Sequence, residues 1–376
     1  MSPAHEIVII GGGAMGLAAA WQLTRSGHRP LVLDRFGPGN LAGASHGATR
    51  NYNDAYSEPH YLALLDEALP RWRDLEAQSG AELLSFWGLV THGDPTEVHA
   101  AYDALNARMR PVTMLSASQA RARYSGMRFD GEVLHSAEAG VVRAARALSA
   151  LEGCAESGGA EIRPGVRATG IELRPDGVRI SVSEEGGRAL APIDAEHVIV
   201  TAGAWTAGLL AGVPGFDDLP GITVTEEQPE HFPVWDAATL WPSFNHFRAA
   251  GEADPLVGNI YGMPTPGEGI KVGLHRVGPA VDPDDRSFQA VPELRLALRE
   301  YVAEWFPGVD ATRGLPVSCT YANTDDGRFV LDRRGPVTVG AGFSGHGFKF
   351  VPAIGRVLAD LATGTALAPP AFQITR

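Results

Sequence analysis

Gly11, Gly13 and Gly16 form G-x-G-x-x-G, with Ala14 and Met15 inside the motif, directly after the apolar run Glu6-Ile-Val-Ile-Ile10. Glycines at this spacing allow a tight turn and close approach of the backbone to a pyrophosphate at the positive end of the following helix. Asp34 closes the next apolar run, about 20 residues further on, where a carboxylate can accept hydrogen bonds from adenosine ribose hydroxyls and would repel a 2′-phosphate. Arg35, next to it, is counted with the nucleotide contacts. The motif alone does not separate FAD from NAD.

Other reactive residue types lie far downstream. In Gly269-Ile-Lys-Val-Gly-Leu-His275, strand periodicity puts Ile270, Val272 and Leu274 on one face and Lys271, Gly273 and His275 on the other. That polar face either lines a cavity or meets solvent, and periodicity does not decide between them. Lys349 ends the glycine-rich run Gly342-Phe-Ser-Gly-His-Gly-Phe-Lys-Phe350, where flanking Phe348 and Phe350 argue against a solvated lysine. Cys319 taken by itself reads as a small buried hydrophobe, and Cys154 shares an apolar helical stripe with Leu148 and Leu151, so it is assigned to the core.

The elements that must hold these residues are also visible. The start reads strand, turn, helix to about Ser26, stop at Gly27, and strand Pro30 to Asp34, which is a βαβ unit. A helix is expected over His60 to Gln78 from the spacing of Leu62, Leu65, Leu69, Trp72 and Leu75. A helix over Ala144 to Cys154 and strands at Val178 to Val182 and His197 to Val200 follow. The segment 216–309 is expected to be β-rich and to end in a helix through Leu294, Leu298, Val302 and Trp305. A last helix runs through Ile354, Val357 and Leu361. The expected class is α/β with an α+β second domain: 1–85, 140–215 and 310–376 form a Rossmann-type nucleotide domain, and 86–139 and 216–309 a β-rich substrate domain, the chain crossing between them more than once.

Composition narrows the partners. The 376 residues are 44% apolar, enough for a large core, and 31 basic against 44 acidic residues leave a net charge of -13 with no Lys/Arg cluster. Nucleic acid and anionic membranes are therefore not expected as partners, and a small neutral or cationic molecule is. Two cysteines are too few for a disulfide framework and fit a reducing cytoplasm. The apolar run Ile7 to Trp21 is too short for a membrane span. No metal site is expected.

Three further segments, Ser45-His-Gly-Ala-Thr-Arg50, Ser318-Cys-Thr-Tyr321 and Gly342 to Phe350, together with the N-terminal glycines, resemble the monomeric sarcosine oxidase and N-methyltryptophan oxidase branch of the D-amino-acid-oxidase-like flavoproteins. The resemblance spans essentially the whole chain. It implies FAD, bound covalently through Cys319, and places Ser45, His46, Thr49 and Arg50 close to the flavin. Gly342, Gly345, Gly347 and Phe348 would then present backbone N–H groups to the flavin's pyrimidine edge. It implies that Lys271 stands over the flavin and promotes reaction with oxygen, that His275 is on the substrate side, and that Lys349 contacts a substrate carboxylate. Tyr261 and Tyr321 match positions bordering the substrate pocket.

One position departs from that pattern. Three residues after Arg50, sarcosine oxidases carry a second arginine that pairs with the substrate carboxylate, whereas this chain has Asn53. Sarcosine is therefore a doubtful substrate, and a larger amine or modified amino acid is expected. Asp54, Glu226 and Glu227 either welcome a polar or cationic substituent or are ordinary solvated loop acids. The expected reaction is amine oxidation to an imine, with oxygen reduced to hydrogen peroxide, by a cytoplasmic monomer. An FAD-dependent amine dehydrogenase with another acceptor and a non-catalytic flavin-binding protein stand as alternatives, and an NAD-dependent dehydrogenase is the weakest.

Overall fold

The computed structural model describes residues 5–248 and 258–376, so residues 1–4 of the expected nucleotide domain and 249–257 of the expected β-rich segment lie outside the described residues. Five strands pair in parallel in the order Glu161–Pro164, Leu31–Asp34, His5–Ile10, Ile193–Val200 and Val337–Ala341. The runs Ile7 to Ile10, Leu31 to Leu33, Val198 to Val200 and Val337 to Val339 are buried throughout, as a covered parallel sheet requires, whereas the edge strand Glu161–Pro164 is not. An antiparallel flank, Val166–Arg174 on Gly177–Glu184, and the strand Val330–Arg334 complete this sheet.

A second eight-stranded sheet, predominantly antiparallel, runs in the order Leu315–Pro316, Glu230–Phe232, Gly269–Leu274, Ile260–Thr265, Ser243–Phe247, Leu89–Gly93, Val133–Ser136 and Val112–Leu115. The helix Pro292–Trp305 buries Leu294, Leu298 and Val302 against it. Among the described residues there are two further small sheets. Thr49–Tyr52 pairs with Gly140–Arg143, and Ile222–Glu227 pairs with Cys319–Thr324. The mixed α/β architecture expected from sequence is therefore present.

The helices expected from periodicity are present, with ends set by local chemistry, and Pro95–Ala107 and Ala117–Arg123 form two more that were not expected. The helix expected over His60 to Gln78 spans Pro59–Ser79, starting on a proline whose missing N–H costs nothing in the first turn and stopping at Gly80 in the left-handed conformation. Its Trp72 Nε1 donates to the Lys349 carbonyl at 2.8 Å, which ties this helix to the glycine-rich turn. The helix at Ala144 extends to Ser157, and Cys154 is buried in its core as expected.

The first helix, Ala14–Arg25, packs on the last, Val351–Thr363, at very short range. A Cβ on Gly355 would lie 2.5 Å from the Ala18 backbone carbon, so only a hydrogen fits there. Gly355→Ala is expected to push the two helices apart and destabilise the protein by about 1–3 kcal/mol. In Gly153→Ala, where the added Cβ meets nothing within 4 Å, stability should hold or rise. Thermal denaturation of both variants checks this, and equal melting temperatures would refute the close-packing account.

Candidate active site

A cavity of ≈860 Å³ runs from the N-terminal glycine turn to the strand carrying Cys319. Gly11 has φ +107, and a Cβ there would meet the Thr201 carbonyl oxygen at 2.4 Å. A Cβ on Gly16, which packs beneath the turn, would meet the Gly11 carbonyl at 1.9 Å. Gly13 caps the first helix in extended conformation without a side-chain hydrogen bond, and Ser45 Oγ accepts from the Ala14 N–H at 3.1 Å. The helix start thus presents backbone N–H groups to the cavity, the arrangement that binds a pyrophosphate.

Asp34 lines the same end. Burial raises its carboxyl pKa, while backbone N–H groups from Phe36, Gly37, Gly12 and Arg35 pull the other way. Glu152, on the helix from Ala144, faces the same space, and its pKa is raised by burial, Glu156 and Asp34. Arg35 also lines the cavity, but its guanidinium is committed to Glu185 at 2.7 Å and Asp284 at 2.5 Å, over the Phe36 ring. Asp284 in addition accepts from Trp205 Nε1 at 2.8 Å and from Arg167 Nη2 at 3.2 Å. The loop around Asp284 is thereby strapped across that end of the cavity.

At the other end Arg50 lines the cavity beside Cys319 and His46, whereas Lys271, Arg286 and Thr49, which lie near them, are not among its lining residues. Cys319 is buried, with its Sγ 4.0 Å from the Ala44 carbonyl oxygen. Arg50 is anchored by the carbonyls of Ala44, His46 and Thr49 at 2.8, 2.6 and 2.9 Å and lies over the Phe348 ring. Thr49 pairs through its hydroxyl with Thr265 at 2.7 Å. Lys271 is buried and has no hydrogen-bond or ion-pair partner among the described residues; burial, then Arg50, lowers its pKa to about 8. Burial, then Arg50, Lys271 and Arg286, lowers that of His46 to about 4. His46 Nε2 and the Nε and Nη1 atoms of Arg286 are buried without partners, and the closest carboxylate to Arg286, Glu226, is 4.0 Å away.

These orphaned donors test whether FAD suits the site. A dinucleotide-sized cavity, a helix terminus for the pyrophosphate, carboxylates for the ribose and a cluster of unpaired cations for an acceptor-rich ring together match its chemistry.

Beside Tyr321, which lines the cavity, sits a second group. Gly345, with φ +79, would drive a Cβ to 2.1 Å from the Tyr321 ring, and Gly342, with φ +63, turns the chain next to Thr324. Gly347 and Phe348 line the cavity wall. His275 contacts Tyr321 and Tyr261 with ring centroids at 5.6 and 6.2 Å. Burial, then Arg276 and Lys349, lowers its pKa to about 4, so the imidazole is neutral near pH 7. Gly273 makes room for Tyr261, since a Cβ there would lie 2.6 Å from the Tyr261 ring.

Lys349 donates to the Tyr56 hydroxyl and the His346 carbonyl, both at 2.8 Å, and burial lowers its pKa to about 7. His346 Nε2 faces the Gly327 carbonyl at 3.2 Å, so it carries the proton, and Nδ1 accepts from the Tyr56 O–H at 3.1 Å.

Asn53 does not line the main cavity. Its Oδ1 accepts from the Ala55 N–H at 2.8 Å and its Nδ2 faces Asn245 Oδ1 at 3.4 Å, beginning a polar row that continues to Thr91. The reading of Asp54, Glu226 and Glu227 as solvated loop acids is corrected here, because all three are buried. Burial raises the pKa of Asp54 to about 6. Sequence reasoning did not single out Tyr56, His346, Arg286, Glu152 or Asp284. His346 lies within the glycine-rich segment and Tyr56 within the stretch after Arg50, whereas the other three belong to no motif.

Known proteins share this architecture and sequence. The family model for FAD-dependent oxidoreductases of the DAO type matches residues 6–361. A monomeric sarcosine oxidase of Streptomyces avermitilis is 32% identical, the match covering 98% of this chain and 96% of that protein. An N-methyl-L-tryptophan oxidase of Citrobacter koseri is 26% identical, with 99% and 97% covered. Among solved structures, the open form of NikD, described as an unusual amino acid oxidase essential for nikkomycin biosynthesis, superposes with a TM-score of 0.84 at 26% identity, covering 98% of this chain and 97% of that one.

The buried Lys349 has a consequence for stability. Its pKa falls from 10.5 to about 7 on folding, so the folded chain binds this proton more weakly than the unfolded chain. The penalty is full below about pH 7 and is relieved as pH rises toward 10.5. The melting temperature of FAD-free Lys349→Met, minus that of the parent, should therefore fall steadily across that window. A constant difference would show that Lys349 is not desolvated in the folded chain.

Proposed function

Because this chain belongs to the family of FAD-dependent oxidoreductases, we propose that it oxidises the C–N bond of a secondary or primary amine, or of an N-alkyl amino acid, to an imine, with oxygen reduced to hydrogen peroxide. The observation that carries this reading is the unpartnered, buried Lys271 beside Arg50 and Cys319. Bound FAD supplies the two-electron acceptor and the means of passing those electrons to oxygen.

The chain's own residues supply position and electrostatics. The Gly11 to Gly16 turn holds the pyrophosphate and Asp34 the ribose, with Ala14, Met15, Ser45 and His46 along the path. Cys319 would tether the flavin as a thioether, which would withdraw electron density and raise its potential. With FAD bound, Arg50 and Lys271 would supply positive potential to an electron-rich ring and to oxygen, in a site where solvent screens little. Lys349 receives a substrate carboxylate where one is present, while His275 offers a neutral imidazole and Tyr261 and Tyr321 close the apolar border. Such a cationic, desolvated setting keeps the amine in its reactive neutral form. The nucleotide is assigned to residues 1–85, 140–215 and 310–376 and the substrate to 86–139 and 216–309, a division supported by the two large sheets.

Asn53 governs substrate choice in this reading. An amide there lacks the charge-assisted, two-pronged contact of a guanidinium, a loss of roughly 1.5–3 kcal/mol for a carboxylate partner. The substrate is accordingly a larger amine or modified amino acid rather than sarcosine.

Three experiments test these assignments. Anaerobic addition of a panel of secondary and primary amines should bleach the flavin's visible band for at least one member, with peroxide appearing in air; a panel that leaves the band untouched would sink the oxidase reading. Acid precipitation should leave the parent protein yellow and strip the colour from Cys319→Ser, and colour lost from both would remove the tether. Asn53→Arg should raise kcat/KM for N-methyl amino acids by about tenfold or more. An unchanged value would show that Asn53 does not face the carboxylate.

A further inference from the structure

Behind Lys271, the large antiparallel sheet opens to solvent. Strand Glu230–Phe232 runs antiparallel to Gly269–Leu274 with His231 directly opposite Lys271, so their side chains are cross-strand neighbours on one face. Glu268 lies in the turn leading into the Lys271 strand, and its Oε2 is 3.3 Å from His231 Nδ1. His231 is buried, and its Nδ1 has no aligned hydrogen bond, whereas half of the Glu268 side chain is exposed. Both residues line an open surface cleft of ≈1530 Å³, which also reaches Thr265 and Ile270. Thr265 is hydrogen-bonded to the hydroxyl of Thr49, the residue before Arg50, so the cleft is linked to the segment that meets the main cavity at Arg50.

The proposed reaction needs a connection of this kind. A hydride equivalent taken from the amine, together with oxygen, lacks one proton of hydrogen peroxide. Two electrons and one proton come from the substrate carbon. The proton that the resulting iminium sheds to become the imine balances the equation but leaves on the substrate side, so the second proton of peroxide has to be delivered on the oxygen side by another path. An ammonium at Lys271 that gives up that proton must then regain one.

We propose that Glu268 and His231 form the route by which solvent protons in the surface cleft reach Lys271. This rests on the reading of Lys271 as the ammonium that serves oxygen. A proton taken up by the Glu268 carboxylate passes to Nδ1 of His231, and Nε2 releases one to the Lys271 amine. Only bonds to protons are made and broken, and after one turnover the three side chains recover their starting charge. The charges acting on His231 come from Lys271 on the paired strand, Arg50 on the strand Thr49–Tyr52 and Glu268 in the turn. Burial, then Lys271 and Arg50, lowers the pKa of His231 to about 4, so a neutral imidazole stands ready to accept at one nitrogen and donate from the other. Both residues act through Lys271, positioning its replacement proton.

The FAD-loaded enzyme, reduced anaerobically and mixed with oxygen in H2O and in D2O, tests this route. His231→Gln and His231→Phe should each slow reoxidation about tenfold more than reduction, with a larger solvent isotope effect. Added imidazole should restore the rate of His231→Ala, and Glu268→Gln should act in the same direction with a smaller loss, since cleft water can replace it. In FAD-free protein, the His231 pKa read by 15N NMR should rise in Lys271→Met, because a like charge has been removed. If Lys271→Met slows reoxidation but both large His231 variants leave the rate and isotope effect unchanged, the route is overturned while the oxygen-side reading of Lys271 stands. If Lys271→Met itself leaves reoxidation unchanged, that reading fails and the route fails with it.

Discussion

Uncompensated positive charge in a buried place is the constraint around which this molecule is organised. Arg50, Lys271 and Arg286 act together on His46, while Glu226, a buried carboxylate near them, is 4.0 Å from Arg286 and accepts a hydrogen bond from Ser318. Removing charges from water is expensive unless they are paired, and here the pairing within the chain is incomplete. A protein with a net charge of -13 has ample carboxylates to neutralise three cations. They are placed elsewhere, and in the function proposed above this region is left to meet an electron-rich ring.

Each architectural feature near this region follows from holding these cations still. Arg50 is gripped by three carbonyls of its own loop, so its planar head has a fixed direction without a carboxylate to neutralise it. Lys271 is set by strand register, between Met263 on one side and His231 on the other. Lys349 is held in the adjoining group by Tyr56 and the His346 carbonyl, and its turn is pinned from behind by Trp72. A helix face that looks purely structural in periodicity therefore also sets the height of an ammonium in the site.

The sequence was legible where the physics is local. The βαβ turn, the long amphipathic helices and the alternation of Lys271, Gly273 and His275 follow from periods of 3.6 and 2 and from glycine's conformational range, and the structure has them in place. Periodicity left the direction of the polar strand face undecided, because it takes the packing of a second sheet to bury Lys271. Residues whose role depends on distant partners were invisible for the same reason. Asp284 meets Arg35 across 249 positions of chain, and Glu226 meets Ser318 across 92. Neither belongs to a motif, and Glu226, Glu227 and Asp54 look like loop acids until the fold buries them. Asn53 was legible only as a departure from a pattern, and what it touches, Asn245 and the Ala55 N–H, emerged only with the fold.

The Asp284 strap has a consequence for assembly. A single carboxylate gathers Arg35, Arg167 and Trp205, which come from three separate stretches of chain, over the end of the cavity that holds the N-terminal glycine turn. Its own side chain and that of Arg167 are each 39% exposed, so mobile ions weaken the latch directly. Ionic strength becomes a handle on how readily that end of the molecule gapes. Loading of the dinucleotide would be gated at its tail, far from the ring, by a clasp that moderate salt loosens and dilution tightens.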